Sequence, residues 1–201
     1  HQPNQSTNAD LNDLSLSSGS LSPTFASATT AYTSTVANSV TSISIIPTLS
    51  DTTATITVNG TTVTSGQESS DISLNTGVNT INVVVTAQDG TTTKSYTVTV
   101  TRQAASANAN LSALSLSSGS LSPTFASATT AYNATVANSV TSIRVTPTVD
   151  DATATITVNG TSVASAQAST AISLAPGANT INIVVTAQDG TTTKSYTVTV
   201  T

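Results

Sequence analysis

Lys94 and Lys194 are the residues with the most chemistry in reach, since each stands two positions before a tyrosine, Tyr96 and Tyr196, in a run that alternates Thr and Val. Side chains two apart on a strand share a face, so each amine would lie against a buried ring. A lysine amine beside an asparagine can condense to an isopeptide bond, but the reaction needs a buried carboxylate to move protons. Residues 111–201 contain no Glu, and the Asp residues there read as turn residues. The expected role of both lysines is therefore the ordinary one: a stem laid over the core at a strand end.

The acids are too sparse for a calcium site, which wants six to eight oxygens with several carboxylates among them. Asp10 with Asp13, and Asp150 with Asp151, are the only close pairs of aspartates, and Asn110 and Ala113 stand where the second half would repeat the first of them. Solvated loop acids are expected. Hydrolytic chemistry has as little to draw on, because the chain has one His, at position 1, and a Ser/His/Asp relay cannot be built twice from one imidazole. Cys and Met are absent, which excludes thiolate ligands, thiol nucleophiles and disulfides. No catalytic residue, cofactor site or metal ligand is assigned, and the chain is read as not an enzyme.

Three weaker patterns have plain explanations. Thr97, Thr99 and Thr101 would form a row of hydroxyls, as on ice-binding surfaces, but also as on any solvent-facing strand that needs β-propensity without charge. Asn-x-Ser/Thr triplets start at Asn4, Asn59, Asn110, Asn133 and Asn159; at Asn59 and Asn159 a hairpin turn accounts for the sequence. Sugar-binding sandwiches offer exposed aromatic platforms, whereas here Trp is absent and each of the 4 Tyr and 2 Phe has a core explanation.

The scaffold that must hold these residues is legible in the same sequence. Thr and Val dominate, both stiff at χ1 and suited to a pleated sheet, so the chain is all-β. A net charge of −5, with Lys94, Arg102, Arg144 and Lys194 as the only strong bases, offers no stripe to neutralise phosphates, and nucleic acid is not an expected partner. No apolar run is long enough for a signal core or membrane insertion. Absence of oxidation-prone Cys and Met, with many Ser and Thr, favours an extracellular, cell-surface setting for a secreted prokaryotic protein.

Laid on itself at an offset of 100, the chain repeats without a gap: Leu11 falls on Leu111, Tyr32 on Tyr132 and Asp89 on Asp189, with about four-fifths of positions identical. The predicted organisation is an N-terminal lead over 1–10, one repeat over 11–101, a linker over 102–110 and a second repeat over 111–201. Seven strands fit each repeat, with interior sets Leu14 and Leu16; Tyr32, Ser34 and Val36; Ile43, Ile45 and Pro47; Ala54, Ile56 and Val58; Ile72 and Leu74; Ile81, Val83, Val85 and Ala87; Tyr96, Val98 and Val100. Asn59-Gly60 and Asn159-Gly160 read as hairpin turns, because both residues tolerate positive φ.

The motifs beginning at Leu11 (L-x-x-L-x-L-S-x-G-x-L-x-P-x-F), Tyr32 (Y-x-x-x-V), Ala54 (A-T-I-T-V-N-G) and Asn79, repeated at Leu111, Tyr132, Ala154 and Asn179, resemble the bacterial cadherin-like β-sandwich domain family. The resemblance implies two tandem immunoglobulin-like, seven-stranded sandwiches of the kind found in arrays on bacterial surface proteins, and supplies no catalytic residues. The expected function is a structural spacer or fibre-forming module whose partners are neighbouring copies or domains of its own array. One form of this is a head-to-tail homopolymer in which the lead His1 to Asp10 docks on the next molecule. The alternative is an adhesin-like module that binds carbohydrate or a cell-wall polymer.

Overall fold

A computed structural model describes residues 4–201. The chain divides into two compact units, the first ending at Ala104 and the second spanning Ala105–Thr201. Among the described residues there is no helix.

In the first unit nine segments follow in order: β1 Leu11–Leu16, β2 Ala31–Val36, β3 Ser42–Ile43, β4 Ile45–Leu49, β5 Thr55–Val58, β6 Thr61–Val63, β7 Ile72–Ser73, β8 Gly77–Thr86 and β9 Thr93–Arg102. One sheet has the order β2-β9-β8-β5-β6, antiparallel except for β2, which runs parallel to β9 with Tyr32 opposite Val98. The facing layer pairs β1 with β4 and β3 with β7. At Ser44, between β3 and β4, the backbone turns to Ser17 instead: the Ser44 N–H donates to Ser17 Oγ at 2.9 Å and the Ser17 N–H to the Ser44 carbonyl at 3.0 Å. The seven expected runs thus appear as nine hydrogen-bonded segments, because one run is interrupted at Ser44 and the short partner beyond Asn59-Gly60 pairs as a strand of its own.

The second unit repeats the plan: β10 Leu111–Leu116, β11 Ala131–Ala134, β12 Ser142–Ile143, β13 Val145–Val149, β14 Thr155–Val158, β15 Thr161–Val163, β16 Ile172–Ser173, β17 Asn179–Thr186 and β18 Thr193–Val200. Its large sheet has the order β11-β18-β17-β14-β15.

The interior is the set that alternation selects. Tyr32, Ser34 and Val36, the β5 pair Ile56 and Val58, and Val83, Val85, Tyr96, Val98 and Val100 are all buried, each large aliphatic contributing about 1.5–3 kcal/mol on burial. Leu16, Phe25 and Ile72 pack against this cluster half-buried. Asn59 and Gly60 both hold positive φ, 47° and 82°, the geometry of a two-residue turn that matches strand twist. Asn59 also fixes register with its side chain, Oδ1 accepting the Asn82 N–H at 2.9 Å.

The lead and the linker differ from the sequence expectation. Leu11 and Ala9 are both buried in the first core, and Ala109 and Leu111 are buried likewise in the second. The Ser6 carbonyl accepts the Asp89 N–H at 3.2 Å, the Ser6 N–H donates to Gln88 Oε1 at 2.9 Å, and the Asp10 carbonyl accepts the Ser50 N–H at 3.0 Å. Ser106, Gln188, Asp189, Asn110 and Asp150 repeat these bonds. Residues 6–10 therefore belong to the first domain and 106–110 to the second, while β9 carries Arg102 and Gln103 bonds to Val36 and Asn38, leaving Ala104 and Ala105 as tether. One small buried alanine in each segment, Ala9 and Ala109, is enough to fasten it, since its neighbours bond through the backbone. His1 lies outside the described residues.

Candidate functional site

The densest side-chain cluster in each domain sits where the lead crosses the last strand. The Leu11 N–H donates to the Tyr96 hydroxyl at 3.0 Å, and that hydroxyl donates to the Ser27 carbonyl at 3.1 Å. Lys94 Nζ reaches the same carbonyl at 2.7 Å and Asp10 Oδ1 at 2.6 Å, with its amine 5.3 Å from the centre of the Tyr96 ring. Phe25 lies between the rings of Tyr32 and Tyr96, with centroids 5.9 and 6.4 Å away. The Asp10 carboxylate raises the Lys94 pKa and holds the amine charged. In the second domain Tyr196, Ser127 and Phe125 repeat the arrangement, and Lys194 Nζ meets Asn110 Oδ1 at 2.8 Å.

The geometry brings an amine and an amide together at Lys194 and Asn110, the pair an isopeptide would need. Among the described residues, however, no carboxylate lies within the 4.0 Å ion-pair range of Lys194 Nζ. The amine spends its protons on Asn110 and the Ser127 carbonyl instead, as a donor that fastens the lead over an aromatic ring.

Asp51, Asp89, Asp151 and Asp189 act as turn locks. Asp89 accepts the N–H groups of Thr91 and Thr92 at 2.9 and 2.8 Å and the Thr92 hydroxyl at 2.6 Å, which together lower its pKa to about 2; Asp189 does the same through Thr191 and Thr192. The Ser6 hydroxyl, then the backbone and side chain of Thr53, lower the pKa of Asp51, and Ser106 with Thr153 lower that of Asp151. Asp150 accepts from Asn108 Nδ2 at 2.7 Å, and Asp13 is exposed on β1. No group of three or more metal-ligating side chains occurs among the described residues.

One surface that could hold a ligand is polar and open. A groove of about 880 Å³ runs between the lead, Asn4 to Asp10, and the end of the last hairpin, Thr92 to Lys94. All four tyrosines are at most 2% exposed and both phenylalanines are half-buried, so no aromatic platform faces solvent. Of the triplet asparagines, Asn59, Asn110 and Asn159 use their side-chain oxygens inside the fold, whereas Asn133 is exposed on β11.

Arg102, which the sequence suggested only as a surface base, closes the far end of the first domain. Its Nε donates to the Asn38 carbonyl at 2.8 Å and Nη1 to the Leu74 carbonyl at 2.9 Å. Nothing in the local pattern marks it, since the two carbonyls come from loops 64 and 28 residues away.

A family description, "Cadherin-like beta sandwich domain", matches residues 11–103 and again 111–201. The chain belongs to this family. A 98-residue stretch, 49% of the chain, is 44% identical to a protein of Evansella cellulosilytica named "Putative membrane protein", and it spans 15% of that protein's length. Among solved structures, the fibronectin(III)-like modules of Clostridium thermocellum CbhA align over 94% of this chain and 93% of theirs at 14% identity and a TM-score of 0.26. Extracellular cadherin domains 1–4 of protocadherin gamma B7 align over 95% of this chain and 50% of theirs at 12% identity and a TM-score of 0.30. Among the described residues, no helix of these cadherin-like domains is long and apolar enough to cross a membrane.

Proposed function

We propose that this pair of cadherin-like domains is a spacer in the extracellular part of a prokaryotic surface protein, a structural module that carries no chemistry of its own. The observation that carries the reading is that each domain fastens its own lead and its own last strand, so that near-identical, self-contained units follow one another across Ala104 and Ala105. Nearest-neighbour arrays are built from such units. The lack of Cys and Met suits an oxidising exterior, and the length of the named relative leaves room for other modules.

The expected polymer, in which the lead would dock on a neighbouring molecule, has against it that Ser6 to Asp10 are already bonded at home. Continuity along the covalent chain is the version we favour. Two measurements on the purified chain test the reading: light scattering at high concentration should give a monomer, and a glycan and cell-wall polymer array should be silent. A saturable hit on the array would replace the spacer by the adhesion module, and a concentration-dependent polymer would restore self-assembly.

A further inference from the structure

The first strand of each sandwich leaves one of its edges unpaired. β1 pairs only with β4, with Ser15 opposite Ile46 and Leu14 opposite Pro47. The N–H and C=O of one residue point to the same side of a strand, and successive residues alternate sides. The Pro47 carbonyl accepts the Gly66 N–H at 2.8 Å and the Ile45 carbonyl accepts the Ser69 N–H at 2.8 Å, so both turn away from β1. The bonds between β1 and β4 therefore fall on Ser15 and Ile46, and the Ser17 N–H continues them onto the Ser44 carbonyl at 3.0 Å. Leu14 and Leu16 point their N–H and C=O groups the other way, where no hydrogen bond among the described residues reaches them. A groove of about 500 Å³ opens beside them, lined by half-buried Leu16, Leu21 and Phe25 and by exposed Asp13. Among the described residues the Asp13 carboxylate has no ion-pair partner.

We propose that this edge of β1 is a docking site for an extended polypeptide segment that carries a lysine or arginine beside alternating apolar residues, and that adds to the β1-β4 layer as a further strand. The chemistry of the partner follows from the edge. Donors and acceptors that alternate along a strand are matched by another extended backbone, and the half-buried apolar side chains beside them receive every second side chain of the newcomer. The unpaired Asp13 carboxylate selects a cation among the rest. Edges that proteins keep closed carry lysine, proline or a bulge. Here the irregularity in β1 lies between Leu11 and Asp13, and residues 13–16 hold neither lysine nor proline. The second domain repeats the open edge without the charge. The Pro147 and Val145 carbonyls accept the Ala166 and Ser169 N–H groups at 2.9 and 2.8 Å, which turns Leu114 and Leu116 outward, but Ala113 stands where the first domain has Asp13. The proposal stands apart from the spacer reading, since a chain that is monomeric and silent toward glycans can still take up a strand.

The test uses the 201-residue chain and the peptide acetyl-Lys-Val-Thr-Val-Thr-Val-Lys-amide, which brings a lysine to Asp13 in either strand direction. Titrated to millimolar concentration, it should move the amide resonances of Leu14 and Leu16 saturably, slow their hydrogen exchange, and leave Val83 and Val98 in the large sheet in place. Asp13→Ala should weaken binding about two- to fivefold, as loss of an exposed ion pair does, and Leu114 and Leu116 should respond with the affinity of that variant. The peptide N-methylated at every valine and threonine keeps its side chains but loses its backbone donors, and it should not bind. Absence of saturable shifts at Leu14 and Leu16, binding of the methylated peptide, or an affinity unchanged by Asp13→Ala would each overturn the proposal. Shifts of the same two amides that grow with the concentration of the chain alone would give the edge to a second copy and overturn it as well.

Discussion

Replacing Tyr96 by phenylalanine removes one oxygen from the junction between lead and last strand and leaves the ring that fills the core. The residue is fully buried, and its hydroxyl is the partner of the Leu11 N–H, which belongs to another fully buried residue. Ser27 keeps its bond from Lys94, so the loss falls on a single buried donor left without an acceptor. Such an orphan costs about 1–3 kcal/mol, against about 3–5 kcal/mol for Tyr96→Ala, which also opens a cavity. Hydrogen exchange on the whole chain reads both, since the second domain is an internal control. Core amides of the first domain should exchange roughly 5- to 160-fold faster in the phenylalanine variant, and the Leu11 amide should gain at least as much. Acceleration below twofold, or equal acceleration in both domains, would refute the claim that this hydroxyl fastens the lead within its own domain.

Ser34 Oγ is buried without a partner, and the second domain has Ala134 there; Ser34→Ala should stabilise the first domain by about 1–3 kcal/mol in denaturant unfolding, and an unchanged midpoint would mean that the hydroxyl is satisfied. Ala166 holds φ at 61° where the first domain has Gly66 at 75°, so Ala166→Gly should stabilise the second domain by about 1 kcal/mol, with no gain if the backbone relaxes in solution. Asp89 and Asp189 have folded pKa values of about 2, below the ordinary 3.8, so they contribute stability that is present above pH 4 and lost as pH falls toward 2. Carbon-13 titration of their carboxyls should show midpoints well below those of a model peptide, and ordinary midpoints would remove this contribution. Melting midpoints should be the same with EDTA or with reductant; a shift of more than a few degrees on chelation would reveal a metal site.

Alternation made most of this fold legible from sequence. Ile81, Val83 and Val85 against Tyr96, Val98 and Val100 could only face inward together, and Asn59-Gly60 could only turn. What the sequence hid depends on contacts between distant loops or on single small residues. Ala9 and Ala109 look like filler in a polar stretch, yet their burial decides that the lead belongs to its own domain. The break at Ser44 was equally silent, since Ile43 and Ile45 keep the parity of an unbroken strand. Arg102 reads as a surface base until the Asn38 and Leu74 carbonyls are placed around it.

The differences between the two domains follow one physical rule: a position changes freely where its side chain makes no bond or where the new side chain offers the same bonding atom. Asn75 becomes Ala175, yet the Asn79 side chain still bonds the backbone N–H and carbonyl there, at 2.9 and 2.8 Å in both domains. Asp10 becomes Asn110, and the lysine amine finds a side-chain oxygen either way, at 2.6 and 2.8 Å. Where the new side chain offers no such atom, the partners change together. The hydroxyl of buried Ser44 meets Glu68 at 3.3 Å, whereas in the second domain Ala168 replaces the acid and Arg144 replaces the serine, its guanidinium passing to the Ser169 carbonyl at 2.6 Å. Glu68→Ala alone would leave the Ser44 hydroxyl buried without its acceptor. Tyr96 and Lys94 are identical in both copies for the same reason, because the hydroxyl and the amine each bond both the lead and the carbonyl of Ser27 or Ser127.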